Sequence, residues 1–289
     1  MKANKFLILE IFAIILFLVY MIPFVIVLIN SSKPSLQIIM DPLSFPEEPS
    51  QLITNIQRVM VSPNVRYVSS FISSFFITVI SVGLLVLFSS MAAWVLVRTK
   101  TVLSSVIFMV FVSAMVIPFQ VVMFPLLSWF RVIEVGLGLA NTPLRLLQNY
   151  PGIIFAYLGF GSSLSIFLFH GFIKSVPLEL EEAATIDGCT KTAVFFKIVF
   201  PILTPITVTV VILNGIWIWN DYLLPLMVLG SGNTVQTLPL AVASFVGSFV
   251  KRWDLILTST LMTMLPVVIV FLILQKHIIK GIVDGAVKG

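Results

Sequence analysis

Few residues in this sequence have the types and spacing that chemistry needs, and most of those that do sit together. Glu182–Pro205 reads EAATIDGCTKTAVFFKIVFPILTP, a polar and charged run in an otherwise apolar chain. Just ahead of it, Pro177 suits the first turn of a helix, where a missing N–H costs nothing. Glu179, Glu181 and Glu182 fall in the opening turns, where carboxylates favour the positive end of the helix dipole. Leu180, Ala183 and Ala184 share one face at helical spacing. Alanine keeps such a face flat and helix-prone, so another protein surface can come close. Gly188 can take positive φ and stop the helix. A second short helix is predicted from Lys191 to Val199, with Pro201 opening the segment that follows. The chemistry on offer is contact rather than bond making: a stiff helix, Gly turn and helix that protrude from the rest.

Other chemistries find little support. The single Cys189 excludes an internal disulfide and a multi-cysteine metal site. His170 and His277 lie too far apart to form a metal pair, and each reads as a structural histidine. No Walker-type phosphate loop is present, so the chain is not expected to hydrolyse ATP, and no cofactor or metal is expected on it. The net charge of +5 comes from basic residues scattered among loops, which argues for orientation and lipid headgroups and against nucleic acid.

The elements that carry this stretch are membrane helices. Of 289 residues, 59% are hydrophobic and only 10% charged, which places the chain in the membrane class. Six spans are predicted, at about 6–29, 68–97, 102–130, 152–173, 202–229 and 254–277. The first is too long for a signal peptide and no A-x-A follows it. Glu10 within it lies near the inner end, where a carboxylate can reach the interface. Residues 30–67, with Pro34, Pro42, Pro46, Pro49 and Pro63, read as an external loop with short helices. Ser69, Ser70, Ser73, Ser74 and Thr78 suit close helix packing in lipid. Pro118 and Pro125 should kink or shorten the third span. Residues 131–150 read as an outer loop with a surface helix, and 238–250 are apolar but too short to span. Both termini fall inside on this reading, with ten Lys and Arg inside against seven outside. The expected divisions are 1–67, a main membrane unit 68–277 with a loop at 175–201, and a tail 278–289.

The Glu182-Ala183-Ala184, Gly188, Ile198 and Pro201 spacing resembles the signature loop of ABC-importer membrane subunits, with Phe200 where Leu is usual. Asp187-Gly188 resembles the sugar importers. So do Trp219-Asn220-Asp221 with Pro225-Leu226, Thr237-Leu238-Pro239, Leu265-Pro266, Gln275-Lys276 and the ending Gly285-Ala286-Val287-Lys288-Gly289, which look like the MalG-like permeases. The resemblance covers roughly residues 68–289.

It implies an all-α polytopic protein with the type I ABC importer permease fold, in a bacterial plasma membrane. Its partners would be a second, MalF-like permease, two ATPase subunits that hold ATP and Mg, an extracytoplasmic sugar-binding protein and a sugar. Glu179, Glu182, Ala183, Ala184, Asp187 and Gly188 would form the cytoplasmic coupling helix, and Gly285–Gly289 would reach the ATPase pair. Sugars are held by aromatic faces and side-chain hydrogen bonds, so Asn214, Trp217, Asn220, Asp221 and Tyr222 are candidates for the substrate path. Trp and Tyr at a span end also read as an interfacial belt. Two other functions stay open at this point. One is the same importer carrying glycerol phosphate esters or another polyol. The other is an ion-driven carrier or scaffold, which would bring down no ATP-binding subunit.

Overall fold

A backbone that crosses hydrocarbon must satisfy its N–H and C=O groups within its own segment, and this chain does so with helices. The structure, a computed structural model, describes residues 2–63, 65–246 and 251–286, with 2–5 and 274–286 as backbone alone. In chain order the helices are α1 (Lys2–Ser31), α2 (Ser35–Met40), α3 (Gln51–Val61), α4 (Tyr67–Arg98), α5 (Val102–Ala114), α6 (Phe119–Gly136) and α7 (Tyr150–Ile173). Then follow α8 (Glu179–Ile186), α9 (Lys191–Val194), a π-helical turn Phe195–Val199 and α10 (Phe200–Ile202). The last are α11 (Thr204–Asn220), α12 (Leu223–Val228), α13 (Leu238–Ala243) and α14 (Trp253–Ala286). Among the described residues, five helices are long and apolar enough to cross a membrane, or six if the bent pair Lys191–Ile202 and Thr204–Asn220 forms one span.

The chain divides into two units, and the first joins Met1–Val68 to Ala241–Pro266. Within it none of the most apolar window of α1 is buried, as expected of a helix facing lipid or a partner. Only its C-terminal end is built in. The Asn55 side-chain amide donates to the Ser31 and Lys33 carbonyls at 3.0 and 3.1 Å, and Thr258 donates to Ser31 at 3.0 Å. Lys33 is fully buried, and its ammonium donates to the Asp41 carbonyl at 3.0 Å. A small apolar cluster of Val59, Val65, Ala241, Phe245 and Leu255 completes this unit.

The second unit, Ser69–Leu240 with Val267–Gly289, holds the main core. Helix α7 is its centre: half of its apolar window is buried, against 11% for α6, and it packs on α5 and α11. Two glycines set how closely it packs. A Cβ on Gly161 would meet Leu85 Cδ1 at 2.6 Å and Asn214 Oδ1 at 2.9 Å, both side-chain tips. A Cβ on Gly152 would run into the backbone carbonyl of Leu146.

Three expectations change. The third predicted span is two helices, α5 and α6, because Pro118 has no N–H for the helix and the chain breaks at 115–118. At 13 residues α5 is shorter than the roughly 20 a span needs. Pro125, by contrast, is accommodated inside α6. Pro201 does not open the fifth span. It lies within α10, and the chain bends by 76° one element later, where Leu203 joins α10 to α11. The predicted tail from 278 is helical in its backbone, since α14 outlasts its candidate span, Trp253–Ile273, and stays helical through Ala286.

The two glycines give a comparison. Gly152→Ala forces backbone to move and should destabilise by about 2 kcal/mol or more. Gly161→Ala meets only movable tips, and a gain of up to about 1 kcal/mol in helix propensity offsets the crowding. Thermal unfolding of the detergent-solubilised protein should show a clear drop for the first variant and little change for the second.

Candidate functional site: the loop between the α7 and α11 helices

The polar loop is built from two short helices joined at Gly188. Helix α8 carries Glu179, Glu181 and Glu182 in its first turn, as the dipole favours, and begins two residues after Pro177. Its end is closed by a complete Schellman motif. Cys189 N–H reaches the Ala184 carbonyl at 3.0 Å, Gly188 N–H reaches Thr185 at 3.0 Å, and Gly188 takes φ +86°. Thr190 then caps α9 by accepting from Ala193 N–H at 3.3 Å. The π turn follows as far as Val199. Pro201 has no N–H to return to the carbonyl of Lys197, and such wide turns re-satisfy a helix at that kind of fault. The C-terminal end of α8 and the N-terminal end of α9 are thus both closed locally, which stiffens the turn between them.

Beneath α8 lies a buried polar cluster. Glu181 is buried, and both of its carboxylate oxygens are held. Arg98, the last residue of α4, donates from Nε to Oε1 at 2.8 Å, and its Nη2 stands 2.7 Å from the same oxygen. Trp94 Nε1 donates to Oε2 at 2.9 Å. Arg98 Nη2 also donates to the Val176 carbonyl at 3.0 Å. The Trp94 ring packs against Phe195 with centroids 5.3 Å apart. The end of α4 therefore touches both arms of the loop, α8 through Glu181 and the π turn through Phe195. An open cleft of ≈ 680 Å³ lies alongside, lined by Trp94, Arg98, Glu182, Thr185, Ile186 and Lys191 among others.

The opposite face of α8 is exposed. Glu179, Glu182, Ala183, Asp187 and Gly188 are all at the surface, and Ile186 is 85% exposed. Ala184 is not: at 7% exposure it packs into the chain's own core. The alanine pair is split, with Ala183 presented outward and Ala184 facing inward. Sequence reasoning missed the Arg98–Glu181–Trp94 cluster, reading Glu181 as one of three dipole partners. The three-residue spacing groups Glu181 with Ala184 on one face, but only the structure shows that this face is the buried one. A carboxylate there needs a cation.

The substrate-path candidates do not converge on one cavity. Asn214 is buried, and its amide donates to Ser165 Oγ at 3.1 Å and to the Val210 carbonyl at 3.0 Å, so it ties α11 to α7. Tyr157 hydroxyl donates to Asp221 Oδ2 at 3.1 Å, and Asp221 Oδ1 accepts from Leu223 N–H at 3.0 Å, holding the break before α12. Trp217 packs edge-on against Tyr157, centroids 5.4 Å apart, yet is 39% exposed. Asn220 is exposed and donates to Ile216 at 2.8 Å, and Tyr222 is exposed too. Trp217, Asn220 and Tyr222 thus show a surface, while Asn214 and Asp221 are engaged within the chain. Of the C-terminal group, Gly285 and Ala286 lie in the α14 backbone, and Val287, Lys288 and Gly289 lie outside the described residues.

His170 is buried and stacks on Phe108 with centroids 3.6 Å apart and planes at 16°, a packing role. Among the described residues no group of three or more His, Cys, Asp or Glu is placed to hold a metal.

Burial separates the three glutamates by consequence. Glu181→Ala leaves Arg98 without its carboxylate and should destabilise by about 2–3 kcal/mol. Glu179→Ala and Glu182→Ala, at the surface, should stay within about 0.5 kcal/mol of the parent in the same melting assay.

Comparison with known proteins places this geometry. Residues 85–284 match the family described as "Binding-protein-dependent transport system inner membrane component". A relative from Thermoanaerobacterium thermosulfurigenes, the probable starch degradation products transport system permease protein AmyC, is 38% identical over 95% of this chain and 94% of its own. The melibiose/raffinose/stachyose import permease protein MelC of Bacillus subtilis is 41% identical over 76% of each chain. The multiple sugar-binding transport system permease protein MsmG of Streptococcus mutans is 34% identical over 93% of this chain and 92% of its own. A bacterial ABC transporter involved in the import of the acidic polysaccharide alginate, known from its crystal structure, matches with a TM-score of 0.74 over 93% of this chain and 95% of the matched one. At 18% identity that match speaks for the fold, the all-α type I importer permease fold. With more than half its length inside the family match, and full-length relatives well above 30% identity, this chain belongs to the inner membrane components of binding-protein-dependent transport systems.

Proposed function

We propose that this chain is one of two permease subunits of an ABC importer that moves a sugar, an oligosaccharide, inward across a bacterial plasma membrane. Its partners are a second, MalF-like permease, two ATPase subunits that hold the ATP and Mg, and an external sugar-binding protein. The cargo follows from the relatives, whose names speak of starch products, raffinose-type sugars and multiple sugars. Both termini face the cytoplasm, which puts α8 on the cytoplasmic side.

One observation carries the mechanism. Helix α8 is stiffened by its caps, anchored from below by Glu181, and presents Glu179, Glu182, Ala183 and Asp187 on its outer side. Seated in an ATPase subunit, such a helix has to move when ATP draws the two ATPases together. Its two ends continue into α7 and α11, which Asn214 and Ser165 tie to each other, so the movement passes into the spans as a rigid-body rotation. The cavity between the two permeases then switches the side it opens to. Ala183 permits the close contact and Glu182 supplies the polar one, while Ala184 and Gly188 set the shape behind them. The tail from Gly285 gives the ATPase pair a second contact. At the far end of α11, Trp217, Asn220 and Tyr222 offer the sugar an aromatic and amide surface, backed by Asp221 and Asn214.

Ala183→Arg tests the reading, because the site is exposed and the fold does not depend on it. The variant should melt like the parent yet lose about tenfold or more in ATPase co-purification, with uptake lost in parallel. Ala184→Leu should instead lower the melting temperature, since overpacking the core there costs about 1–3 kcal/mol. Normal ATPase recruitment and uptake by Ala183→Arg would remove the coupling role from this face.

A further inference from the structure

The two ends of α4 are fastened in a way the coupling reading does not use. At one end are Arg98 and Trp94, held to Glu181 and Phe195 as described above. At the other, Ser74 Oγ accepts the backbone N–H of Leu238 at 2.8 Å, both residues buried, and Ser73 Oγ pairs with the Tyr150 hydroxyl at 2.9 Å. Leu238 follows the loop after α12. Between Ser74 and Arg98 the helix contains no proline and no break. At 1.5 Å per residue it spans about 36 Å, more than a hydrocarbon core.

The loop held at Ser74 is itself poised. Gln236 and Thr237, each 4% exposed, precede Leu238, and neither Gln236 Oε1 nor Thr237 Oγ1 has a hydrogen-bond partner. Buried polar atoms left unmatched raise the energy of the arrangement that holds them, so a second arrangement of this segment lies within reach. A rod that is rigid between its fastenings, with an ion-paired latch at one end and an under-satisfied loop at the other, passes displacement to the loop.

We propose that α4 is a tie rod: Arg98 and Ser74 are positioning residues through which the cytoplasmic loop sets the state of the segment before Leu238 on the opposite side of the membrane. The segment 231–237 is then the external reporter of nucleotide state. This rests on the coupling role of α8. It adds α4 as a driven element besides α7 and α11, which are joined to the loop covalently.

The experiment uses the complete importer in lipid nanodiscs, with Cys189→Ser to remove the native thiol. Spin labels are placed at Ser231→Cys and Leu144→Cys, both exposed positions of the same unit. Trapping with ATP and vanadate should shift the distance between the labels. Ser74→Ala and Arg98→Gln should each remove more than half of that shift. Ser74→Ala should leave basal ATP hydrolysis unchanged, and Arg98→Lys, which keeps the ion pair, should retain most of the shift. Because both residues act on one rod, the double variant should lose no more than the worse single variant. A double variant that loses the shift altogether where each single variant keeps a part, a shift untouched by either variant, or no shift in the parent would overturn the tie rod. The two readings separate cleanly: a parent chain that recruits no ATPase sinks the importer function, whereas normal recruitment with an indifferent Arg98 sinks the rod alone.

Discussion

A carboxylate buried beside an apolar bundle must have both oxygens answered, and meeting that demand at Glu181 organises the working end of this molecule. Arg98 and Trp94 come from α4, Val176 from the loop's own entry, and Phe195 from its far arm. One acidic side chain thereby draws three separate chain segments to a common point. Leaving it unpaired would cost several kcal/mol, so the arrangement is held tightly although each contact is modest alone. The same burial turns the other face of α8 outward, which is why Glu182 and Ala183 are presented and Ala184 is not.

The spans obey a related economy. Hydroxyl side chains within them turn back to carbonyls three or four residues earlier, as Ser165 does to Gly161, Thr258 to Asp254 and Thr263 to Ser259. Others reach across: Asn214 to Ser165 and Tyr157 to Asp221 join α7 to α11 and to the break beyond it, Ser73 pairs with Tyr150, and Thr258 also reaches Ser31. Interhelical hydrogen bonds in lipid contribute on the order of 1 kcal/mol each, so apolar packing between the two helices also holds the pair. The result is two helices that lead out of the loop and behave as one body.

Much of this was legible in the residues. Spans at 68–97 and 152–173 match α4 and α7 to within about two residues, because uninterrupted apolar runs leave no other solution in lipid. Gly188 announced its turn, and the Glu182, Ala183, Ala184, Gly188 spacing announced the family. Pro118 and Pro201 were less readable. A proline forbids one hydrogen bond, but whether the chain breaks, as at 115–118, or absorbs the fault in a wide turn, as at 195–199, depends on what packs around it. The C-terminal end of α14 was hidden for another reason, since its backbone stays helical to Ala286 beyond the apolar stretch that ends at Ile273.

The sequence by itself determined the class, the family, the helical loop and the sign of charge at its start, since these follow from composition, spacing and backbone preference within a few residues. Which glutamate is buried, which alanine faces out, and where Asn214 directs its amide were decided only by the tertiary structure. Those choices depend on residues 49 to 87 positions away, Ser165 for Asn214 and Trp94 and Arg98 for Glu181, and no local pattern records them. Sequence periodicity tells that a helix has two faces; only the neighbours settle which of them meets the core.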